Sequence, residues 1–258
     1  MSIYQHFRKH EHPFVDQVLS WKEQVERTYS HYLTDFLDPR EQQIVSSLIG
    51  SKNETMKYSF FGGGNTERGR ALIVPFYEEI SEELFNIILL EGRFDPKFNK
   101  VKHRDILGAF MSLGIERRKL GDIFVADDYF QLIAAKELST YIMMNLTQIN
   151  NVGIRLKEKN LLKLMEKTDE WITSGQTVSS LRLDVIVKEI YRMSRKDAVQ
   201  YIKGNKVKVN FTDVDDPSMQ VIVNDLISVR GYGRSKIITI DGKTRKDKIK
   251  ITTAKLKA

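Results

Sequence analysis

The chain has 258 residues, 41% of them hydrophobic, no cysteine and a formal net charge of +7. That length allows two or three small domains, and the lack of cysteine excludes disulfides, thiolate zinc sites and a cysteine nucleophile. There is no run of about 18 apolar residues, so we expect no membrane span. The N-terminal residues do not resemble a secretory signal peptide. A cytoplasmic protein without membrane partners is therefore expected.

Residues 1–78 are predicted to form a helical region with short strands. Aromatic and aliphatic residues recur at steps of three and four from Phe14 to Phe36, which predicts one long helix. Asp38-Pro39 is a typical start for a second helix, and Gly50 is a typical end. The predicted helices cover residues 13–36 and 39–50, and the predicted strands cover 57–61 and 70–77.

Residues 79–160 show a regular order of elements. Strands are predicted at 85–94, 122–127, 129–135 and 152–157, and helices at 104–113 and 137–148. The order β-α-β-β-α-β predicts a ferredoxin-like domain, the arrangement of the RNA-recognition (RRM-like) fold. Its third strand lacks the Lys/Arg-Gly-Phe/Tyr motif of that fold. The fold alone therefore does not predict RNA binding for this domain.

A dense motif runs from His103 to Ile123 inside this domain. Gly108 lies within the predicted helix at a cost of about 1 kcal/mol relative to alanine, which predicts close packing there. Gly114 is a typical helix C-cap. A basic triplet follows in a loop that we expect to face solvent, so RNA-phosphate contact and a solvated turn are both open interpretations. The triplet is Arg117, Arg118 and Lys119.

The last part of the chain, residues 181–258, follows a predicted linker over 161–180. An amphipathic helix is predicted at 184–192, and Ser194 is a suitable N-cap for a helix at 195–203. Arg195 and Lys196 lie in its first turn, where cations disfavour an isolated helix but would bind a phosphate together with free N–H groups. The candidate RNA contacts in this part are Arg182, Ser194, Arg195, Lys196, Lys206, Lys208, Arg230 and Arg234.

The charge is distributed unevenly along the chain. Residues 181–258 contain 18 Lys and Arg against 9 Asp and Glu, a net charge of +9, whereas residues 1–180 contain 23 against 25, a net charge of −2. All the excess positive charge therefore lies in the C-terminal part. This asymmetry is typical of a protein that binds phosphates at one end.

The string from Ser180 to Lys236 resembles the small αL-type RNA-binding domain named after the fourth protein of the small ribosomal subunit, here called the S-four domain. The resemblance rests on Arg182-Leu183-Asp184, Ser194-Arg195-Lys196-Asp197-Ala198 and Val207-Lys208-Val209-Asn210. It departs from the usual pattern at Asn205 and Asn224, where the domain usually has glycine. Asparagine tolerates a left-handed backbone, so we expect the turn at Asn205 to form. The resemblance implies binding of structured RNA.

The whole chain resembles the bacterial YlmH family, whose members are also described as RqcP-like ribosome quality-control factors. The shared features are a helical start, a ferredoxin-like middle with the motif from His103 to Ile123, and an S-four domain that ends in Gly231-Tyr232-Gly233-Arg234. The resemblance implies binding to rRNA of the large ribosomal subunit and to tRNA. It also implies that the protein acts beside a nascent-chain tailing factor when stalled chains receive alanine tails. The gene of this family often lies beside cell-division genes.

Two other functions remain as alternatives. Pseudouridine synthases carry an aspartate in a similar Arg-Leu-Asp string, but the residues after Asp184 differ from theirs and too few follow for a catalytic domain. The loop Phe61–Asn65 follows a strand as in methyltransferases, but no doubly wound repeat succeeds it. We therefore predict a protein that is not an enzyme and needs no cofactor or metal. An RNA-modifying enzyme and a division-linked interaction protein are the alternatives.

Overall fold

The computed structural model describes residues 3–50, 54–95, 97, 101–166 and 170–257. The chain divides into two compact units, Met1–Lys167 and Thr168–Ala258. Both units combine helices with antiparallel sheets, so the predicted α+β class is confirmed. Among the described residues, no helix is long and apolar enough to cross a membrane.

The first unit begins with a helix and a strand where the sequence predicted one helix. Helix α1 (His12–Thr28) ends because Tyr29 has a left-handed backbone, φ 51°. Strand β1 (Tyr32–Leu37) follows, so the prediction of a helix over 13–36 is wrong beyond residue 28. The aromatic spacing was misleading because Trp21 of α1 stacks on Tyr32 of β1, with 5.3 Å between the ring centroids.

The rest of the N-terminal region follows the prediction. Helix α2 (Pro39–Ile49) begins at Asp38, whose side chain accepts a hydrogen bond from the Glu41 N–H at 2.8 Å. Strands β2 (Met56–Phe61) and β3 (Gly69–Pro75) form a three-stranded antiparallel sheet with β1, in the order β1-β3-β2. Helix α1 packs on this sheet through Val18, Trp21 and Val25.

The middle of the chain has the predicted ferredoxin-like topology. The elements are β4 (Ile87–Arg93), α3 (His103–Met111), β5 (Leu120–Val125), β6 (Tyr129–Ala135), α4 (Ser139–Asn145), β7 (Gln148–Ile149), β8 (Val152–Gly153) and β9 (Leu156–Lys159). The antiparallel sheet has the order β5-β6-β4-β9, so β4 and β6 are the two central strands. The predicted strand 152–157 is divided, because β8 pairs with β7 in a small hairpin and only β9 joins the sheet.

Both faces of this four-stranded sheet are covered. Leu90 and Leu132 point to one face, where they pack with Ile106 and Phe110 of α3. Their neighbours Leu89 and Ile133 point to the other face, because side chains alternate along a strand. That second face packs against Phe36 of β1 and against residues that follow β9, namely Leu161, Leu164 and Met165.

A buried arginine joins the N-terminal region to the middle domain. Arg70 of β3 is only 4% exposed. Its guanidinium donates to the carbonyl oxygens of Thr34 at 2.7 Å and Asn86 at 3.1 Å, and it pairs with Glu137 at 3.3 Å. Asp122 adds two bonds by accepting from the N–H groups of Glu67 and Arg68. These contacts explain why both regions belong to one compact unit.

Two glycines of the motif at 103–123 differ from the prediction. Gly114 has a left-handed backbone, φ 76°, but the C-cap of α3 is Ser112, two residues earlier, so the prediction of Gly114 as the C-cap is wrong. A Cβ atom added at Gly108 would meet nothing within 4 Å. The prediction that Gly108 serves close packing is therefore wrong, because no neighbouring element approaches the helix at that position.

The second unit is a six-stranded antiparallel sheet with two helices on one face. Its elements are β10 (Trp171–Val178), α5 (Leu183–Tyr191), α6 (Arg195–Lys203), β11 (Val207–Val209), β12 (Thr212–Asp213), β13 (Leu226–Val229), β14 (Gly233–Lys243) and β15 (Ile249–Leu256). The strand order is β10-β15-β14-β13-β11-β12. The predicted linker over 161–180 needs correction, because its residues 171–178 pair along the full length of β15.

The left-handed backbone at Tyr29 leads to a test of the helix boundary. Tyr29 is 72% exposed, so Tyr29→Gly removes little packing and relieves a conformation that costs an L-residue about 1 kcal/mol. We expect the free energy of unfolding, measured by urea denaturation, to rise by about 1 kcal/mol. Tyr29→Ala is the matched control, because it keeps the Cβ atom and should gain nothing. A glycine variant less stable than wild type would indicate that the helix continues through residue 29.

Candidate nucleic-acid interface

A buried carboxylate lies between the two helices of the second unit. Asp184 is in the first turn of α5 and is 1% exposed. It accepts a hydrogen bond from Arg182 Nε at 3.0 Å and another from Arg195 Nε, at the start of α6, at 2.9 Å. The two arginine side chains are 39% and 61% exposed. One buried group therefore anchors two solvent-accessible guanidinium groups.

Asp184 remains ionised in this position. Burial by itself raises the pKa of a carboxyl group, but the hydrogen bonds and charges of Arg182 and Arg195 outweigh that effect and lower the pKa of Asp184 below its ordinary value. The N-terminal turn of a helix also favours a negative charge. Asp184 thus compensates part of the positive charge that Arg182 and Arg195 bring to the helix starts.

The two helices differ in whether the backbone N–H groups of their first turns have hydrogen-bond acceptors. The first N–H groups of α5 are occupied, because Leu183 donates to the Met219 carbonyl and Asp184 donates to the Pro217 carbonyl. At α6, Ser194 acts as the N-cap as predicted, and its Oγ accepts from the Asp197 N–H at 3.1 Å. Within the described part of the chain, the N–H groups of Arg195 and Lys196 have no acceptor.

A groove of about 590 Å³ begins at these two helix starts and runs along one face of α6 to Lys203. Arg182, Arg195 and Lys196 line it together, so the structure brings three of the predicted residues to one surface. Lys203 also lines this groove and was missed by the sequence analysis. It could have been found, because positions 196, 199, 200 and 203 share one face of a helix. The remaining polar side chains of the groove include Gln200, Asp216 and Ser218.

Two predicted residues lie on the opposite face of the sheet. Val207 and Val209 of β11 pack into the core beneath the helices. Lys208, between them, points away from the helices because side chains alternate along a strand. Arg234 lies in the same row, since Lys208 pairs with Ser228 and Ser228 pairs with Arg234. Lys208 and Arg234 therefore lie on a different surface from Arg195 and Lys196, and their contact with RNA stays a prediction.

The other two predicted residues lie near the end of α6. The Nζ of Lys206 is 5.1 Å from the ring centroid of Tyr201 in α6. Arg230 is exposed, and its N–H donates to the Lys206 carbonyl at 2.9 Å. The turn at Asn205 has formed as expected, with a φ of 51°. Asn224, the other departure from glycine, also has a left-handed backbone, with a φ of 72°.

The basic triplet of the first unit is engaged in internal contacts. Arg117 donates to the carbonyl oxygens of Leu120 and Gly121, and burial lowers the pKa of its guanidinium to about 10. Arg118 and Lys119 both pair with Asp35 of β1. The prediction that the triplet faces solvent is thus wrong for Arg117. It failed because Arg117 folds back onto the carbonyl oxygens of Leu120 and Gly121. The partner of Arg118 and Lys119, Asp35, lies more than 80 residues away in the sequence.

The structure also bears on the enzymatic alternatives. The glycine loop after β2 packs against leucine side chains of the same unit. A Cβ at Gly63 would lie 3.1 Å from Leu161, and a Cβ at Gly64 would lie 3.0 Å from Leu164. The described residues contain no group of three or more His, Asp or Glu arranged to hold a metal ion. Asp184, the aspartate of the Arg-Leu-Asp string, is buried and paired with two arginines.

The pairing of Asp184 predicts a stability effect that depends on pH. Asp184→Asn should lower the free energy of unfolding at pH 7 by about 2 kcal/mol, because it weakens two charge-assisted hydrogen bonds to partly solvated arginines. The pKa of Asp184 is lowered in the folded state, so its contribution is complete above the ordinary aspartate pKa and is lost as the pH falls through the lowered value. Urea denaturation between about pH 7 and pH 3 measures this.

Asp216→Asn provides the matched control for that measurement. It removes an equal charge from the same groove, but from an exposed carboxylate. Its stability should stay close to wild type. Equal stabilities of the two variants at pH 7 would contradict a structural role for Asp184.

Comparisons with known proteins agree with this architecture. Residues 81–163 match a family model described as "Putative RNA-binding domain in YlmH". Residues 181–227 match the S4 domain, called S-four above. A solved structure, "Cell division protein ylmH from Streptococcus pneumoniae", is similar with a TM-score of 0.55 and 28% identity, covering 64% of this chain and 100% of that one.

The chain is also similar over nearly its full length to a curated protein. It is 40% identical over 250 residues to the "Ribosome-associated protein quality control protein P2" of Bacillus subtilis (strain 168), and the match covers 97% of each chain. It is therefore a homologue of a ribosome-associated quality-control protein and contains two regions that match RNA-binding domains. On this identity and coverage, the chain belongs to the YlmH family.

Proposed function

We propose that this protein binds the large ribosomal subunit in quality control of stalled translation, and that the groove at the starts of α5 and α6 is its main RNA contact. The observation that carries the proposal is the pair of arginines fixed on buried Asp184. They lie beside Lys196, Lys203 and the open N–H groups of α6. The relative from Bacillus subtilis is named as ribosome-associated, which supports the same partner.

The arrangement suits the phosphates of RNA. Each arginine uses Nε for Asp184, and among the described residues neither side chain donates a second hydrogen bond. The Nη groups therefore remain available for phosphate oxygens, which guanidinium groups bind with two parallel bonds. Because Asp184 already orders the arginines, little side-chain entropy is lost when RNA binds. The free N–H groups of α6 and its dipole add further attraction for an anion.

The remaining predicted residues extend this proposal to further RNA. Lys206 and Arg230 lie near the end of α6, and Lys208 and Arg234 lie on the far face of the sheet. These residues could contact rRNA segments or tRNA that the groove does not reach. We also propose that the protein acts in the cytoplasm with rRNA and tRNA as partners. There it would work beside a nascent-chain tailing factor in alanine tailing, as the resemblance to this family implies.

A second function is favoured by one finding. The related Streptococcus pneumoniae structure is named as a cell division protein. In that alternative, the protein acts through a division partner and its RNA binding is incidental. Sequencing of RNA that co-purifies with the protein separates the two, since the main proposal requires enrichment of large-subunit rRNA.

The groove predicts a change in ribosome association. The double variant Arg195→Ala/Lys196→Ala should no longer co-sediment with large subunits, because it removes two phosphate ligands at the α6 N-terminus. Arg245→Ala/Lys246→Ala is the matched control: it removes the same two side-chain types from the exposed turn between β14 and β15. Circular dichroism checks that both variants remain folded. If the first variant sediments like the control, the groove is not the ribosome-binding surface.

The non-enzymatic assignment predicts no pseudouridine formation. A catalytic aspartate must reach its substrate, whereas Asp184 is 1% exposed and hydrogen-bonded to two arginines. Purified wild-type protein incubated with rRNA or tRNA should therefore leave uridine unchanged in mass-spectrometric nucleoside analysis. Pseudouridine that appears with wild type and disappears with Asp184→Asn would identify an RNA-modifying enzyme instead.

A further inference from the structure

An open cleft on the middle domain has no role in the function proposed above. It has a volume of about 430 Å³ and lies between α3 and the β7–β8 hairpin. Its polar lining comes from Arg104, Asp105, Ser112, Gln148 and Asn150, and part of its floor is Gly108. Clefts of this size hold ligands such as one nucleotide.

The glycine in the floor has no explanation inside the molecule. Gly108 lies in the middle of α3, where glycine is less favourable than alanine. Among the described residues, nothing outside the backbone of α3 itself would meet a Cβ there within 4 Å, and Gly108 does not have a left-handed backbone. A glycine that neither packing nor backbone conformation requires allows a ligand to approach the helix closely.

The usual RNA surface of this fold is not accessible. RNA-recognition domains stack bases on the sheet face opposite their helices. Here that face is covered by Phe36, Leu161 and Leu164, which pack on Leu89 and Ile133. RNA that reaches this domain must therefore bind elsewhere, and the α3 cleft is open to solvent.

The chemistry of the cleft favours a nucleotide. The Nε of Arg104 is 3.7 Å from the carboxylate of Asp105, but the side chain is 82% exposed, so its Nη groups can bind a phosphate. The side-chain amides of Gln148 and Asn150 carry donors and acceptors, which match the edge of a base. The Gln148 amide nitrogen donates to the Asn150 carbonyl, which leaves its second N–H and its amide oxygen for a ligand. We propose that the α3 cleft binds one unpaired nucleotide of ribosomal RNA, with its base over Gly108. This proposal rests on the proposed function, because it requires that the protein reaches ribosomal RNA.

The test combines ultraviolet cross-linking with substitutions in the full chain. Wild-type protein is irradiated in complex with large ribosomal subunits, and peptides that carry a nucleotide adduct are identified by mass spectrometry. We expect adducts on peptides from 103–112 or 148–153. Gly108→Leu should remove these adducts and weaken binding about tenfold, in the range for loss of one stacked base.

Gly108→Ala is the graded variant of this test. The added methyl group meets no other residue described by the structure and improves helix propensity, so this variant should melt at a higher temperature than wild type. Because the methyl group lies where the base would approach the helix, it should give fewer adducts than wild type but more than Gly108→Leu. The leucine variant must show wild-type circular dichroism, and if it fails to fold, Gln148→Ala/Asn150→Gly replaces it with the same expected loss of adducts, since Asn150 has a left-handed backbone, φ 51°, that suits glycine.

The outcomes separate this proposal from the proposed function. Adducts near Arg195 with none at the α3 cleft would overturn the cleft proposal and leave the groove intact. A complete lack of binding to large subunits would overturn both. If Gly108→Leu loses binding but wild type shows no nucleotide adducts at the cleft, the occupant is a protein. That result would also overturn the cleft proposal.

Discussion

The contact of Asp184 with Arg182 and Arg195 is the constraint on which the C-terminal surface depends. Without the carboxylate, two arginines and a lysine would repel one another at the positive ends of two helices. With it, both guanidinium groups are held at about 3 Å from one buried group. The removal of a buried charge from water is unfavourable, and the hydrogen bonds and charges of the two arginines offset that cost. The same contact joins the first turns of α5 and α6.

The two units use their basic residues in different ways. In the first unit, Arg70 is buried among carbonyl groups and Glu137, and the triplet at 117–119 is engaged with Asp35 and nearby carbonyls. These cations stabilise the attachment of the N-terminal region to the ferredoxin-like sheet. In the second unit, Arg195 and Lys196 remain exposed. The net charge of residues 181–258 is therefore displayed on the surface, whereas several cations of the first unit serve internal structure.

Local signals in the sequence predicted what depends on local structure. Asp38 and Ser194 marked helix starts correctly, because an N-cap bonds to an N–H three residues away. The strand β10 was missed because its stability comes from pairing with β15, which is about 80 residues later. The strand β1 was missed because Trp21 and Tyr32 contribute to one core from different elements. The sequence could not show that Arg195 and Arg182 share the carboxylate of Asp184, because Arg195 is eleven residues away on a second helix.

The salt dependence of binding to large ribosomal subunits tests the central claim most directly. Each phosphate neutralised by a protein cation contributes about 0.7–0.9 to the slope of log affinity against log salt concentration. If Arg195 contacts a backbone phosphate from its position on Asp184, the slope for Arg195→Gln will be shallower than that of wild type by about 0.7–0.9. Parallel lines for the two proteins would show that Arg195 contacts no phosphate and would contradict the account.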